Sequence, residues 1–150
     1  MFYINIKMSK IKNAVIFLIT DDKHILILKN NYGNYGWSLP GGGLERKESV
    51  WQGALREFKE EVGYKLDLSK MNDIKTYDFY DSQPSTITRY FIVQSSQIFK
   101  RIRLSDEHTE YHFIKLSELK RIALNKSRKK YNLEYYFTDS LCELISNRII

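Results

Sequence analysis

A single α+β domain, with strands and helices layered on one another, is the fold class this chain predicts. Three observations lead there. Apolar, β-branched runs of strand length mix with segments of helical character along the chain. No repeat, low-complexity tract or linker-like stretch divides it. Its 150 residues, 43% of them hydrophobic, are enough to bury one sizeable core.

The elements follow in order. Ile11 to Thr20 is a near-continuous apolar and β-branched stretch, as expected of a strand covered on both faces. His24 to Leu28 follows after Asp21-Asp22, so the two read as a hairpin. Residues Asn30 to Gly43 hold five of the seven glycines and one of the two prolines, which reads as a loop. A helix is predicted over Ser49 to Val62, with Ser49 as its N-cap and Gly63 where a left-handed C-terminal cap is wanted. Further strands are expected at Asp73–Tyr80, Ile87–Ser95 and Tyr111–Ile114. Helices should run from Ser117 to about Leu124 and from Leu133 to Ile149, with the basic run Lys126 to Lys130 between them.

Composition removes several function classes. The lone Cys142 allows neither an internal disulfide nor a multi-cysteine zinc cluster, and its apolar neighbours Leu141, Leu144 and Ile145 make it a buried small side chain. The longest apolar run, Ala14 to Ile19, is too short to span a bilayer, and the N-terminus lacks the layout of a signal peptide. No membrane partner is expected, and a cytoplasmic location is the default expectation. The net charge of +6 favours anionic partners without choosing among nucleotides, nucleic acid, phosphorylated sugars and acidic lipid.

One helix carries chemistry. Three- and four-residue spacings return to one helical face, so Glu57, Glu60 and Glu61 share an arc of about 100°. Gly53 lies on that face and is expected to leave open space there, at a cost of about 1 kcal/mol relative to alanine. Trp51, Leu55, Phe58 and Val62 occupy the adjacent side and should dock the helix on the sheet. Like charges at these spacings destabilise an isolated helix by roughly 0.2–0.5 kcal/mol per pair, a cost that a hard divalent cation would offset. A plain solvated acidic face, with Arg56 and Lys59 nearby, is the alternative reading of the helix taken alone.

The full string is Gly42-x5-Glu48-x7-Arg56-Glu57-Phe58-x-Glu60-Glu61-x-Gly63-Tyr64. It resembles the signature box of the Nudix hydrolase (MutT-like) superfamily, with every identity position filled. Seven fixed residues at ordinary usage agree by chance about once in a hundred million starts or more rarely. The one departure is Tyr64, aromatic where the family has a bulky aliphatic residue. Outside the box the resemblance is weaker but spans most of the chain, including the approach Trp37-Ser38-Leu39-Pro40-Gly41-Gly42-Gly43.

The resemblance implies a mixed sheet in an α/β/α sandwich and an enzyme that cleaves nucleoside diphosphates linked to a further moiety. It implies that Glu57, Glu60 and Glu61 are ligands of Mg²⁺, for which Mn²⁺ can substitute, with Glu48 supporting the site and Arg56 orienting a box glutamate. Gly42 and Gly43 would let the loop turn tightly against the helix and face phosphate oxygens with backbone N–H groups. The general base varies within the family; here Glu107 resembles the later-loop glutamate of several members, and Glu110 is its runner-up. His108 and His112 read as surface or strand residues.

Substrate identity is read from outside the box. The proline that marks many ADP-ribose enzymes and the coenzyme A and NADH signatures are missing, while Tyr80 meets the tyrosine spacing of dinucleoside polyphosphate enzymes. Tyr80 reads first as a strand aromatic, and Trp37, Tyr32 and Tyr35 stand where a nucleobase would stack, although Trp37 fits a lid over the core equally. The leading expectation is a nucleoside triphosphate cleaved to monophosphate and pyrophosphate. Within the enzyme class the alternatives are a dinucleoside polyphosphate and the 5′ end of an RNA, for which the basic run Lys126 to Lys130 would supply a grip. A non-catalytic nucleotide- or RNA-binding module is the alternative of another class, and the complete box argues against it. Monomer and homodimer both stay open.

Overall fold

The computed structural model describes residues 10–32, 36–82, 85–124 and 139–147. Strands β1 (Ile11–Thr20) and β2 (His24–Asn30) form the expected antiparallel hairpin, with Ile19 opposite Ile25. Two short strands follow, β3 (Trp37–Ser38) on β2 and β4 (Gly41–Gly43) on β1. Helix α1 is Val50–Val62, and Leu68–Lys70 forms one 3₁₀ turn. Then come β5 (Met71–Ser82), β6 (Ser85–Ser95), β7 (His108–Lys115), α2 (Leu116–Leu124) and α3 (Asp139–Ser146).

One mixed sheet results, in the order β3-β2-β1-β6-β5, with β4 added on β1 and β7 on β2. The β1–β6 pair is parallel over nearly its whole length, and the other pairs are antiparallel. A central strand of this kind is covered on both faces, which is why β1 is apolar throughout. Ala14, Ile16 and Leu18 point to one side, where they meet Ala54, Phe58 and Val62 of α1. Phe17 and Ile19 point to the other and meet Leu119 and Ile122 of α2 and Cys142, Leu144 and Ile145 of α3. The α/β/α sandwich is thus present, and Cys142 is buried within it, as its apolar neighbours predict.

Differences from the sequence reading are local. Residues 37–43, read wholly as loop, contain β3 and β4, because backbone pairing to the hairpin supplies order that glycine propensity opposes. Only glycine allows β4 to lie so close: a Cβ on Gly41 would sit 2.5 Å from the Ala14 carbonyl oxygen. The predicted N-terminal part of the last helix, and the basic run Lys126 to Lys130, lie outside the described residues. Among the described residues no helix is long and apolar enough to cross a membrane.

Candidate active site

Helix α1 begins with a complete capping box. Ser49 accepts a hydrogen bond from the Gln52 N–H, and the Gln52 side chain accepts from the Ser49 N–H. It ends at Gly63, whose φ of 77° makes the left-handed cap. With both ends set, the apolar side docks on β1, and the acidic side is presented to β4 and to the loop that precedes β7. Tyr64, the departure from the box pattern, packs edge-on against Phe99 at 5.3 Å and accepts the Arg101 N–H.

Arg56 organises the box. Its Nε donates to Glu48 Oε2 at 3.0 Å and its Nη2 to Glu48 Oε1 at 2.8 Å, a bidentate fork. Nη2 also donates to the Gly43 carbonyl at 2.9 Å, and Nη1 reaches Glu57 Oε1 at 3.1 Å and Glu60 Oε2 at 3.3 Å. Glu45, which sequence reasoning did not single out, stands 3.6 Å from the same guanidinium. The hydrogen bond from Arg56 holds the Glu48 carboxyl at about 2, well below the usual carboxylate range. Glu48 also accepts the Glu45 N–H at 2.7 Å, so Glu48 and Arg56 tie the loop to the helix.

The box glutamates divide. Glu60 turns its carboxylate to Arg56, whereas Glu57 and Glu61 face one another closely enough to share a hydrogen bond. Glu61 is only 3% exposed. Burial, with the Glu57 and Glu107 charges added, pushes its carboxyl up to about 9, while the Gly41 N–H at 3.4 Å opposes the shift. Burial raises Glu57 too, against the pull of Arg56. Space for the Glu57 carboxylate exists only because residue 42 has no side chain: a Cβ there would lie 2.6 Å from Glu57 Cδ.

Gly53 does not open the site as expected. The room left by its absent side chain is filled by Leu44 Cδ2 and the Glu48 carboxylate, so this glycine packs the loop against the helix.

Residues 105–108 close the other side. The Ser105 N–H donates to the Glu61 carbonyl, and Asn31 ties β2 to this segment through its N–H on the Glu107 carbonyl at 2.8 Å and its Nδ2 on Asp106. Glu107 lies near enough for its charge to bear on Glu57, Glu61 and the Tyr32 hydroxyl. Glu110 instead stands 3.7 Å from Lys29.

Two further candidates fall elsewhere, and one residue that was not a candidate joins the site. Trp37 is buried on the α2 side of the sheet, its ring edge-on to His112 at 4.9 Å and committed to that core. Tyr80 is exposed on the outer strand β5 and bonds to Ser85 across the hairpin. His108, read from sequence as surface or strand, does begin β7 but is buried, with Nε2 3.8 Å from Glu61 Oε2.

Among the described residues no three His, Cys, Asp or Glu side chains are arranged to hold a metal ion by themselves. The donor set nevertheless suits a hard cation that keeps waters and shares its shell with substrate phosphates, because such an ion needs only one or two protein carboxylates. Glu57 and Glu61 are two oxygen donors whose charged forms, crowded and desolvated, call for a positive partner.

Comparison with known proteins bears on the whole chain. Nucleoside triphosphatase NudI of Escherichia coli is 28% identical over 101 residues, 63% of this chain and 72% of that protein. The structure resembles that of a C. elegans Ap4A hydrolase in a binary complex, with a TM-score of 0.64 at 21% identity over 92% of this chain and 98% of the other. The MutT protein from Methanosarcina mazei Go1 gives 0.62 at 19% identity over 94% and 96% of the two chains. The NUDIX domain family model matches residues 10–135, from the start of β1 past the end of α2. The chain carrying this glutamate-lined helix therefore belongs to the NUDIX domain family, and it is a Nudix pyrophosphohydrolase.

Proposed function

We propose that the protein is a Mg²⁺-dependent hydrolase of a phosphoanhydride bond in a nucleoside di- or triphosphate derivative, with a nucleoside triphosphate cleaved to monophosphate and pyrophosphate as the leading case. The observation that carries this is the carboxylate pair of half-buried Glu57 and buried Glu61, faced by the glycines of β4 and flanked by Glu107. The relatives at 28% identity, named as nucleoside triphosphatases, favour that substrate class.

In this reading Glu57 and Glu61 hold the cation, and Glu60 joins them or stays on Arg56 as the substrate arrives. When bound, the divalent ion neutralises phosphate oxygens and lowers the pKa of water, which opens the phosphorus to in-line attack. Glu107, exposed beside the pair, takes the proton of the attacking water. Arg56 keeps Glu57 in place through its hydrogen bond, and the fork to Glu48 keeps Arg56 in place. The absence of side chains on Gly41 and Gly42 lets the phosphate chain approach the backbone.

The test is incubation of the purified protein, with and without Mg²⁺, against nucleoside triphosphates, ADP-ribose, diadenosine polyphosphates and capped RNA, with products resolved by chromatography. Metal-dependent release of pyrophosphate from a nucleoside triphosphate is the expected result. Cleavage of another class in preference would overturn the substrate assignment, and metal-independent turnover would overturn the mechanism.

A further inference from the structure

The pairing of β2 with β7 is regular from His24↔Lys115 to Lys29↔Glu110 and then slips, so that Asn30 opposes His108. Thr109 is the extra residue, and a bulge of this kind re-aims the side chain beside it. Side chains alternate along a strand, so regular pairing would put His108 on the face of His112 and Ile114, toward Trp37 and α2. Phe113, one residue along, packs on the α1 side. The bulge moves His108 onto that side, where Glu61 stands.

Its surroundings are closed. The His108 side chain is 3% exposed, and its Nδ1 is buried without a hydrogen-bond partner, as is the hydroxyl of Ser105 at the start of the same tight loop. The His108 N–H donates to the Ser105 carbonyl, and Asn31 braces the loop from β2, so the backbone that carries the imidazole is fixed. Burying an imidazole costs free energy unless it is matched by a polar contact, and the group that Nε2 approaches is Glu61 Oε2. The Gly41 N–H approaches that same oxygen, at 3.4 Å. The Gly41 N–H and the His108 imidazole therefore both face Oε2, the Nε2 separation of 3.8 Å being beyond hydrogen-bond distance, so that Nε2 stands poised beside the oxygen without bonding to it.

We infer that His108 is a positioning residue: its imidazole, turned inward by the bulge at Thr109, is poised for Nε2 to donate to Oε2 of Glu61 once the cation is bound, so that the carboxylate keeps the orientation in which it binds that cation. Glu61 is the cation ligand only on the functional reading given above, and the inference rests on that reading. Outer hydrogen-bond partners of metal ligands typically change metal affinity by about 10–100-fold when removed, and His108 acts in that way. It touches neither substrate nor the reacting atoms.

The experiment compares His108→Gln with His108→Asn. Both are amides, but only glutamine places an N–H near the former Nε2 position. Mn²⁺ is titrated into the substrate-free protein and followed by electron paramagnetic resonance, alongside Glu61→Gln and the unaltered chain. Expected are a loss of about 10–100-fold in Mn²⁺ affinity for His108→Asn, near-complete retention in His108→Gln, and weakened binding in Glu61→Gln. Weak binding in Glu61→Gln with unchanged affinity in His108→Asn, or equal losses in both His108 variants, overturns the inference and leaves the functional reading standing. Unchanged binding in Glu61→Gln overturns both. A second measurement needs no folded variant: on saturation of the unaltered protein with Mg²⁺, the His108 Nε2 proton should move downfield and exchange more slowly. A resonance that Mg²⁺ leaves unmoved refutes the inference.

Discussion

Gly42→Ala isolates the geometry of the carboxylate pair from the stability of the fold. The added methyl would stand 2.6 Å from Glu57 Cδ, 2.7 Å from Oε1 and 2.9 Å from Oε2. Ordinary carbon contacts lie at about 3.5–4.0 Å, so one partner must retreat by roughly 1 Å. The backbone of β4 cannot, being paired to β1 at Asn13↔Gly43, Ala14↔Gly42 and Val15↔Gly41. The flexible end of Glu57 moves instead, away from Arg56 Nη1, which now holds it at 3.1 Å. Little stability is lost, because that contact is partly solvent-screened and alanine restricts the unfolded chain, which favours folding by about 0.4–1 kcal/mol. Turnover suffers more: a misplacement of about 1 Å in a reacting constellation costs on the order of a hundredfold. Steady-state pyrophosphate release with Mg²⁺, read beside a thermal melt, should therefore show a large loss of kcat/KM and a nearly unchanged Tm. Gly43→Ala is the internal comparison, since its Cβ would meet only Asn13 Oδ1, at 3.9 Å, and it should lose far less. Full activity in Gly42→Ala, or equal losses in both variants, would refute the claim that Gly42 makes room for Glu57.

Glu61→Gln should lower turnover by on the order of a hundredfold or more while the metal-free protein stays folded, because glutamine resembles the protonated carboxyl that burial favours. A variant that stays folded and keeps its specific activity would exclude the ligand role. The same carboxyl, raised to about 9 in the fold, binds its proton more tightly there than in the unfolded chain. Its contribution to metal-free stability is therefore complete below the ordinary carboxylate range and falls as pH rises toward 9. Melts from pH 5 to 9 should show a decline that is shallower in Glu61→Gln. Arg56→Lys replaces the fork on Glu48 with a point charge and should lower Tm by about 2–4 °C, and an unchanged Tm would show that the fork is not a structural tie. Ser49→Ala removes the capping bond to Gln52 and should cost about 0.5–2 kcal/mol, with kcat little affected.

Much of the fold was legible because its signals are local. The bounds of β1, both caps of α1 and the junction of β7 with α2 follow from apolar runs, a serine, a glycine and a change of period, although β7 starts at His108, three residues before the predicted Tyr111. Strands β3 and β4 were not legible, since Trp37-Ser38 is too short to show a period and Gly41–Gly43 opposes strand formation, and both are ordered by their neighbours. At the site, the spacing of Glu57, Glu60 and Glu61 placed three carboxylates on one helical face, and the Nudix resemblance tied Arg56 and Glu48 to them.

Sequence by itself determined the family, the layered α+β class and the shared face of the glutamates, because helical periodicity and motif spacing act within a few residues of chain. Only the tertiary structure decided that Glu57 pairs with Glu61 while Glu60 turns to Arg56, and that Gly53 is packed by Leu44. It also buried Trp37 and brought Glu107 to the site. His108 shows the physical reason most clearly. Its direction depends on one residue of slippage between β2 and β7, where Asn30 opposes His108 from a distant part of the chain, and no local pattern at Thr109 encodes a register that the partner strand sets.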